Sequence, residues 1–196
     1  MLHLQRVFLT LFVSSFSLFC NCEYSKTPVP FSKLATCQEF DIESDNCRQF
    51  FPIESIKNYK TNEYKLYLKF YVMASTDANI VLFNGIPKWD VRYTVVVSGG
   101  SDNRYSWLRN TNDTTVGPES HLGQLLSPLW PLPITVRQKI NGELQISVPG
   151  VADPLLVADA SDLKEIKAFC MYAWKNKSRW FYNCTEEEDI FLDDAL

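Results

Sequence analysis

The chain has 196 residues, of which 46% are hydrophobic and 14% aromatic, so it is long enough to bury a core of its own. Acidic residues outnumber basic ones, and the formal net charge is −4. Nucleic acid is therefore not expected as a partner, because no basic excess is available to neutralise phosphates. With two histidines in the whole sequence, we predict no metal centre.

Residues 1–22 are interpreted as a secretory signal peptide. Arg6 supplies a positive charge, and the uncharged run from Val7 to Cys20 is shorter than the roughly 20 residues that span a bilayer. A buried N-terminal helix is the alternative interpretation. Since no other stretch approaches transmembrane length, we predict a secreted, extracellular protein without a membrane span.

Four cysteines lie beyond this segment, and an even number in an oxidising compartment favours two disulfides. Of the three possible pairings we favour Cys37–Cys47 and Cys170–Cys184, because each pair closes a short loop. Zinc binding is the competing interpretation, but the sequence has no C-x-x-C spacing.

Three N-x-[ST] sequons predict sites of N-glycosylation in a secreted chain. The sequon with a cysteine at its middle position is the weakest acceptor of the three. The asparagines are Asn112, Asn176 and Asn183.

Taken in chain order, residues 23–49 are an extended lead-in that contains a cysteine pair, and residues 50–184 alternate apolar and polar positions over short stretches. Turn signals separate these stretches, and long amphipathic helices are missing, so we predict an all-β fold. The expected architecture is an antiparallel, jelly-roll-like β-sandwich stapled by disulfides. The predicted strands cover residues 64–73, 79–83, 92–98, 105–110, 134–140, 143–148, 155–157, 166–174 and 179–184.

Two turns and a tail complete this prediction. Asn141-Gly142 between two alternating runs indicates a type I′ hairpin. A short helical turn is expected over residues 161–165, with Ser161 as its N-cap. Residues 185–196 contain six acidic residues and no basic one, which is typical of a solvated tail.

A series of short motifs, in a fixed order, then suggests a family. The first motif is F-x-V-x-A-x-x-D-A-x-I, the second is Gly-Gly followed by N-x-x-S-x-x-R, the third is an Asn-Gly turn, and the last is W-x-Y-x-C. The residues that carry these motifs are Phe70, Val72, Ala74, Asp77, Ala78, Ile80, Gly99, Gly100, Asn103, Ser106, Arg109, Asn141, Gly142, Trp180, Tyr182 and Cys184. Residues 50–184 thereby resemble the farnesoic acid O-methyltransferase domain of insects and crustaceans. That family usually has Trp directly after Gly-Gly, whereas here the position is Ser101 and Trp107 follows six residues later.

The resemblance implies S-adenosylmethionine-dependent methylation of farnesoic acid, in juvenile-hormone-type sesquiterpenoid synthesis. The residues after Gly99-Gly100 do not form an amphipathic helix, however, as a nucleotide-binding turn would require. His121, the one histidine after the signal peptide, lies in a predicted loop and is not expected to serve as a catalytic base. We therefore predict no catalytic residues and no cofactor.

The aromatic content favours a binding module instead, with a glycan or a small apolar molecule as its ligand. Trp180 is expected in the core, whereas the residues that follow the Gly-Gly turn are the candidate site. These are Asp102, Asn103, Trp107 and Arg109. The methyltransferase and an extracellular protein-interaction component remain alternatives, and the sequence leaves the oligomeric state open.

Overall fold

The computed structural model describes residues 29–85, 91–151 and 154–185. Two 3-10 turns, Phe31–Leu34 and Ile53–Ser55, accompany the strands of this part of the chain. The strands are β1 Gln38–Glu43, β2 Phe51–Pro52, β3 Tyr64–Met73, β4 Ala78–Phe83, β5 Arg92–Gly99, β6 Tyr105–Arg109, β7 Thr115–Ser120, β8 Leu132–Lys139, β9 Glu143–Ser147, β10 Leu156–Asp159, β11 Ala168–Ala173 and β12 Lys177–Tyr182.

The strands form two six-stranded sheets in which every pairing between described residues is antiparallel. The first sheet has the order β1-β12-β3-β8-β9-β10, and the second has the order β2-β11-β4-β5-β6-β7. Alternate residues of each strand point into the space between the sheets, as the burial pattern of β8 shows. Trp180, Phe70 and Phe169 fill that space and are fully buried. The predicted antiparallel β-sandwich is confirmed, and Trp180 lies in the core as expected.

Three strands were not predicted from the sequence. β1 has one buried residue among six, so its hydrophobic alternation is weak. β2 has two residues, and β7 is largely exposed and contains both Gly117 and Pro118. β1 lies within the predicted lead-in and pairs with β12, so the sheet includes part of that segment.

The four cysteines form two disulfides, but the favoured pairing is wrong. The bridges are Cys37–Cys184 and Cys47–Cys170, which are separated by 147 and 123 residues in sequence. Cys37 directly precedes β1 and Cys184 closely follows β12, and these two strands are neighbours in the first sheet. Strand pairing therefore brings together cysteines from opposite ends of the chain, whereas the prediction had used proximity in sequence.

Both predicted turns also differ in the structure. The β8–β9 hairpin is confirmed, but Gly142 is the one residue of its turn with a positive φ, whereas a type I′ turn needs two. The Gly142 N–H bonds the Lys139 carbonyl, so three residues connect the strands and the glycine supplies the left-handed position. Residues 161–165 form turns and bends instead of a helical turn, and the Ser161 N–H bonds the Asp159 carboxylate.

Other predictions fall outside the described residues. The signal peptide and residues 186–196 of the acidic tail belong to this group. Within the described ranges, no helix is long and apolar enough to cross a membrane.

Candidate functional site

The outer face of the second sheet carries a trough whose floor follows from the strand registers. One cross-strand row consists of Tyr172, Asn79, Val96 and Trp107, which are successive partners on β11, β4, β5 and β6. Three intervals between adjacent strands make this row about 14 Å wide. Its two aromatic side chains stand at the ends, and the smaller ones lie between them.

The next row lies on the same face of the same four strands. It runs from Cys170 through Val81 and Thr94 to Arg109 on the same four strands. On β6 the two rows end in Trp107 and Arg109, and on β11 they end in Tyr172 and in the bridge from Cys170 to Cys47, so the smaller side chains of β4 and β5 form the floor between them. The resulting trough has a volume of about 790 Å³ and is open to solvent.

The Gly-Gly motif has a physical role at one end of this trough. A Cβ atom at Gly99 would lie 2.8 Å from Cζ3 of Trp107 and 2.8 Å from Oδ1 of Asp77. The glycine thus allows the indole to lie directly against the backbone of β5. Gly100 has φ +84° and turns the chain toward β6. The indole nitrogen of Trp107 is buried, and no described residue accepts a hydrogen bond from it, so it is a donor that a ligand acceptor could satisfy.

Asp77 joins two neighbouring turns at the same end. Its carboxylate accepts a hydrogen bond from the Gly100 N–H, and its carbonyl accepts one from the Trp174 N–H at 3.2 Å. Burial raises the pKa of Asp77, and the Gly100 hydrogen bond partly opposes this effect. The backbone at Asp77 is left-handed, with φ +42°, a conformation that Asp and Asn tolerate better than most residues.

Two arginines of the trough are engaged in different ways. Arg92 donates two hydrogen bonds to the Asp113 carboxylate, at 2.9 and 3.1 Å. Arg109 lies over the Trp107 ring instead, with its guanidinium carbon 5.2 Å from the ring centroid. One face of the Trp107 indole is therefore covered by a cation.

The opposite wall is built from β11 and the segment before β2. The Cys47–Cys170 bridge ties this segment to the sheet and places Asn46, Cys47 and Phe50 along the trough. Tyr172 is half-buried there, and burial raises the pKa of its phenol. Trp174 stands at the rim with 47% of its surface exposed.

The structure separates the four candidate site residues of the sequence. Trp107 and Arg109 line the trough, whereas Asp102 and Asn103 lie in the turn after Gly100 and are not among the lining residues. Asp102 pairs with Arg104 at 3.8 Å. Several other lining residues were not predicted, because strand order brings them together and one sequence does not reveal that order. These residues are Asp77, Asn79, Arg92, Thr94, Tyr172 and Trp174.

His121 is exposed and packs edge-on against Tyr105, with ring centroids 4.5 Å apart. In the described ranges, no group of three or more His, Cys, Asp or Glu residues is arranged to hold a metal ion.

Comparison with known proteins identifies the family. The family model described as farnesoic acid O-methyl transferase matches residues 45–186. The chain belongs to this farnesoic acid O-methyl transferase family. Its match begins before β2 and ends just after Cys184, so it spans most of the sandwich, and the resemblance noted from the motifs is confirmed.

Parts of two of the family motifs meet at one end of the trough. Asp77, Gly99 and Gly100 form the contacts described above, and Ser106 accepts a hydrogen bond from the Ser98 N–H at 3.2 Å. Among solved structures, the carbohydrate-binding module CBM66 from Bacillus subtilis matches with 9% identity and a TM-score of 0.42. That match covers 72% of this chain and 78% of the module. No curated protein matches the chain.

Proposed function

We propose that this member of the farnesoic acid O-methyl transferase family is a secreted, non-catalytic binding module whose trough binds a glycan. The observation that carries the proposal is the mixed lining of the trough. Aromatic side chains stand on both walls, and Asn79 and Thr94 lie between them on the floor. Sugars combine an apolar C–H face with hydroxyl groups at the ring edge, and such a ligand matches rings flanked by polar groups.

The polar groups of the lining favour a glycan over a small apolar molecule. Arg92, Asp113 and Asp77 are charged, and an apolar ligand would remove water from them without replacing its hydrogen bonds. Sugar hydroxyls both donate and accept, so they can pair with carboxylates and guanidinium groups alike. The space between the sheets, by contrast, is filled by core side chains.

Trp174 is the best platform for a sugar ring. Its side chain is exposed at the rim, and its backbone N–H bonds the Asp77 carbonyl, which anchors the main chain at this position. A cation lies over one face of each indole, Arg109 over Trp107 and Lys175 over Trp174. Trp107 is the weaker platform because it is less exposed than Trp174 and because Gly99 adjoins its ring edge. We therefore assign stacking to Trp174, with Tyr172 beside it.

The methyltransferase alternative is less well supported by the geometry. The Gly-Gly motif, which could be mistaken for a nucleotide-binding turn, serves here to accommodate the Trp107 ring. Incubation of the protein with labelled S-adenosylmethionine and farnesoic acid tests the alternative, and we expect no labelled methyl ester.

A glycan array, followed by titration calorimetry on the best ligand, tests the proposal. We expect Trp174→Ala to weaken binding by about ten-fold or more, because the substitution removes the stacking surface. Trp130→Ala is the matched control, since Trp130 is similarly exposed but packs near Phe31, away from the trough. Absence of binding to any glycan, or equal effects of the two variants, would refute the proposal.

A further inference from the structure

The charged groups that line the trough are not equally engaged by the protein. Arg92 and Asp113 neutralise one another through two hydrogen bonds. Asp77 accepts the Gly100 N–H at the far side of Trp107. Among the described residues, no carboxylate lies within ion-pair distance of Arg109, and its recorded contact is with the Trp107 ring. Of the two arginines that line the trough, Arg109 is therefore the one whose N–H donors are available to a ligand.

The Trp107 ring also determines how Arg109 presents its donors. A guanidinium group held over an aromatic ring is restrained in position, and its N–H groups point outward in its own plane. Two parallel N–H groups match the two oxygens of a carboxylate, which a lysine ammonium cannot do. Restraint before binding also lowers the entropy lost when the ligand is bound.

The position of Arg109 places these donors beside the floor of the trough. Arg109 is the direct cross-strand partner of Thr94, whose neighbour on the next strand is Val81. These central side chains are small, so a ligand lying over them reaches Arg109 from the side. A second cation, Lys175, lies 5.8 Å from the centre of the Trp174 ring at the rim.

We infer that the trough selects saccharides that carry a carboxylate on the sugar ring, uronic acids, with Arg109 binding that carboxylate. This inference rests on the proposed function. A heavily sulfated saccharide is a poorer fit, because it brings several charges to one available guanidinium, the other lining arginine, Arg92, being already paired with Asp113.

The test compares each acid with its methyl ester, which has the same sugar ring but no charge. Trimers of galacturonate, glucuronate and mannuronate are titrated into the secreted protein, each beside its uncharged methyl ester, together with a sulfated trisaccharide. We expect at least one acid to bind about ten- to a hundred-fold more tightly than its ester, as expected for a charge-assisted hydrogen-bonded pair. The preference should fall with added salt, whereas the affinity of the ester should not.

Substitutions of Arg109 test whether this residue causes the preference for the acid over its ester. Arg109→Gln should abolish it, and Arg109→Lys should restore only part of it, because the charge returns without the paired donors. Arg104→Gln is the matched control, since Arg104 is an exposed arginine in the preceding turn and outside the trough. An unchanged thermal unfolding midpoint shows that Arg109→Gln folds normally.

The outcomes separate this inference from the proposed function. If esters and acids bind equally well and Trp174→Ala weakens both, glycan binding stands and the uronic acid assignment is wrong. Tighter binding of the sulfated trimer, or a preference that survives Arg109→Gln, also overturns the assignment. If no saccharide binds at all, the proposed function and this inference both fail.

Discussion

At Gly99 the backbone of β5 and the indole of Trp107 are in direct contact, so a single methyl group is enough to disturb the trough. An added Cβ would overlap the Trp107 ring and approach Asp77. The ring is the more mobile of the two groups and should move outward, carrying Arg109 with it. Gly99 is not required for its backbone conformation, because its φ is not in the left-handed region.

We therefore predict that Gly99→Ala lowers the unfolding free energy by about 1–3 kcal/mol, as is usual for overpacking, and weakens saccharide binding as well. Denaturant unfolding and calorimetric titration measure the two effects. Gly123→Ala is the control, because Gly123 has positive φ but open space around its Cβ position, so the cost there is backbone strain alone. Normal ligand affinity in Gly99→Ala would show that the indole position does not matter for binding.

Asp77 makes stability depend on pH in a direction that can be worked out. Its pKa is raised in the folded protein, mainly by burial, so ionisation is less favourable there than in the unfolded chain. The carboxyl group therefore contributes stability while it is protonated, below its ordinary pKa of 3.8. That contribution is lost as the pH rises through the raised pKa.

Asp77→Asn removes this titration and keeps both an acceptor for the Gly100 N–H and a residue that tolerates the left-handed backbone. We predict that the variant becomes progressively more stable relative to the wild type as the pH is raised from about 3.5 to about 7. Thermal unfolding midpoints across this range check the prediction, with Asp102→Asn in the exposed turn as control. Parallel curves for Asp77→Asn and the wild type would contradict it.

Outside the strands or at their ends, the three sequons lie in different surroundings. Asn112 is exposed in the turn between β6 and β7, and Asn176 donates hydrogen bonds to Thr76 Oγ1 at 2.8 Å and to the Trp174 carbonyl at 3.0 Å. Asn183 accepts the Lys57 N–H at 2.8 Å and precedes the Cys184 bridge. A glycan on Asn176 or Asn183 would therefore require existing contacts to break.

We predict that Asn112 is the main acceptor when the protein is secreted from eukaryotic cells. Peptide mass spectrometry, before and after enzymatic removal of N-glycans, should find modification at Asn112, with little at Asn176 or Asn183. Asn112→Gln should remove most of the glycan mass, whereas Asn176→Gln should leave it unchanged. The reverse pattern would mean that the chain is glycosylated before these turns form.

The strands themselves were largely predictable, because alternation is a local property of the sequence. β3 to β6 and β8 to β12 all overlap predicted segments, and β8 shows the expected alternation of buried and half-buried residues.

Only one side of the trough could be predicted from the sequence. Trp107 and Arg109 stand two residues apart in one strand, so their common face follows from the sequence. Tyr172 lies opposite them because β4 and β5 separate β11 from β6, and one sequence does not reveal that order.

In the molecule as a whole, the two disulfides have different structural roles, although both connect distant parts of the chain. Cys37–Cys184 joins the beginning and end of the sandwich, and buried Leu34, Tyr71 and Phe181 pack around it. Cys47–Cys170 lies on the outer face of the second sheet, next to Val81 and Phe83, and holds one wall of the trough. Both bridges stabilise the fold by lowering the conformational entropy of the unfolded chain, since each closes a loop of more than a hundred residues.

We predict that both double variants, Cys37→Ser with Cys184→Ser and Cys47→Ser with Cys170→Ser, lower the unfolding free energy by about 2–5 kcal/mol. Only the second should also weaken saccharide binding under conditions where both variants remain folded, because only that bridge lines the trough. Denaturant unfolding measures the first effect and calorimetric titration the second. Each variant is the control for the other, since loss of one long-range bridge is common to both. Equal affinities for the two variants would mean that the segment before β2 does not contribute to the site, and the binding surface would then be confined to the sheet from β11 to β6.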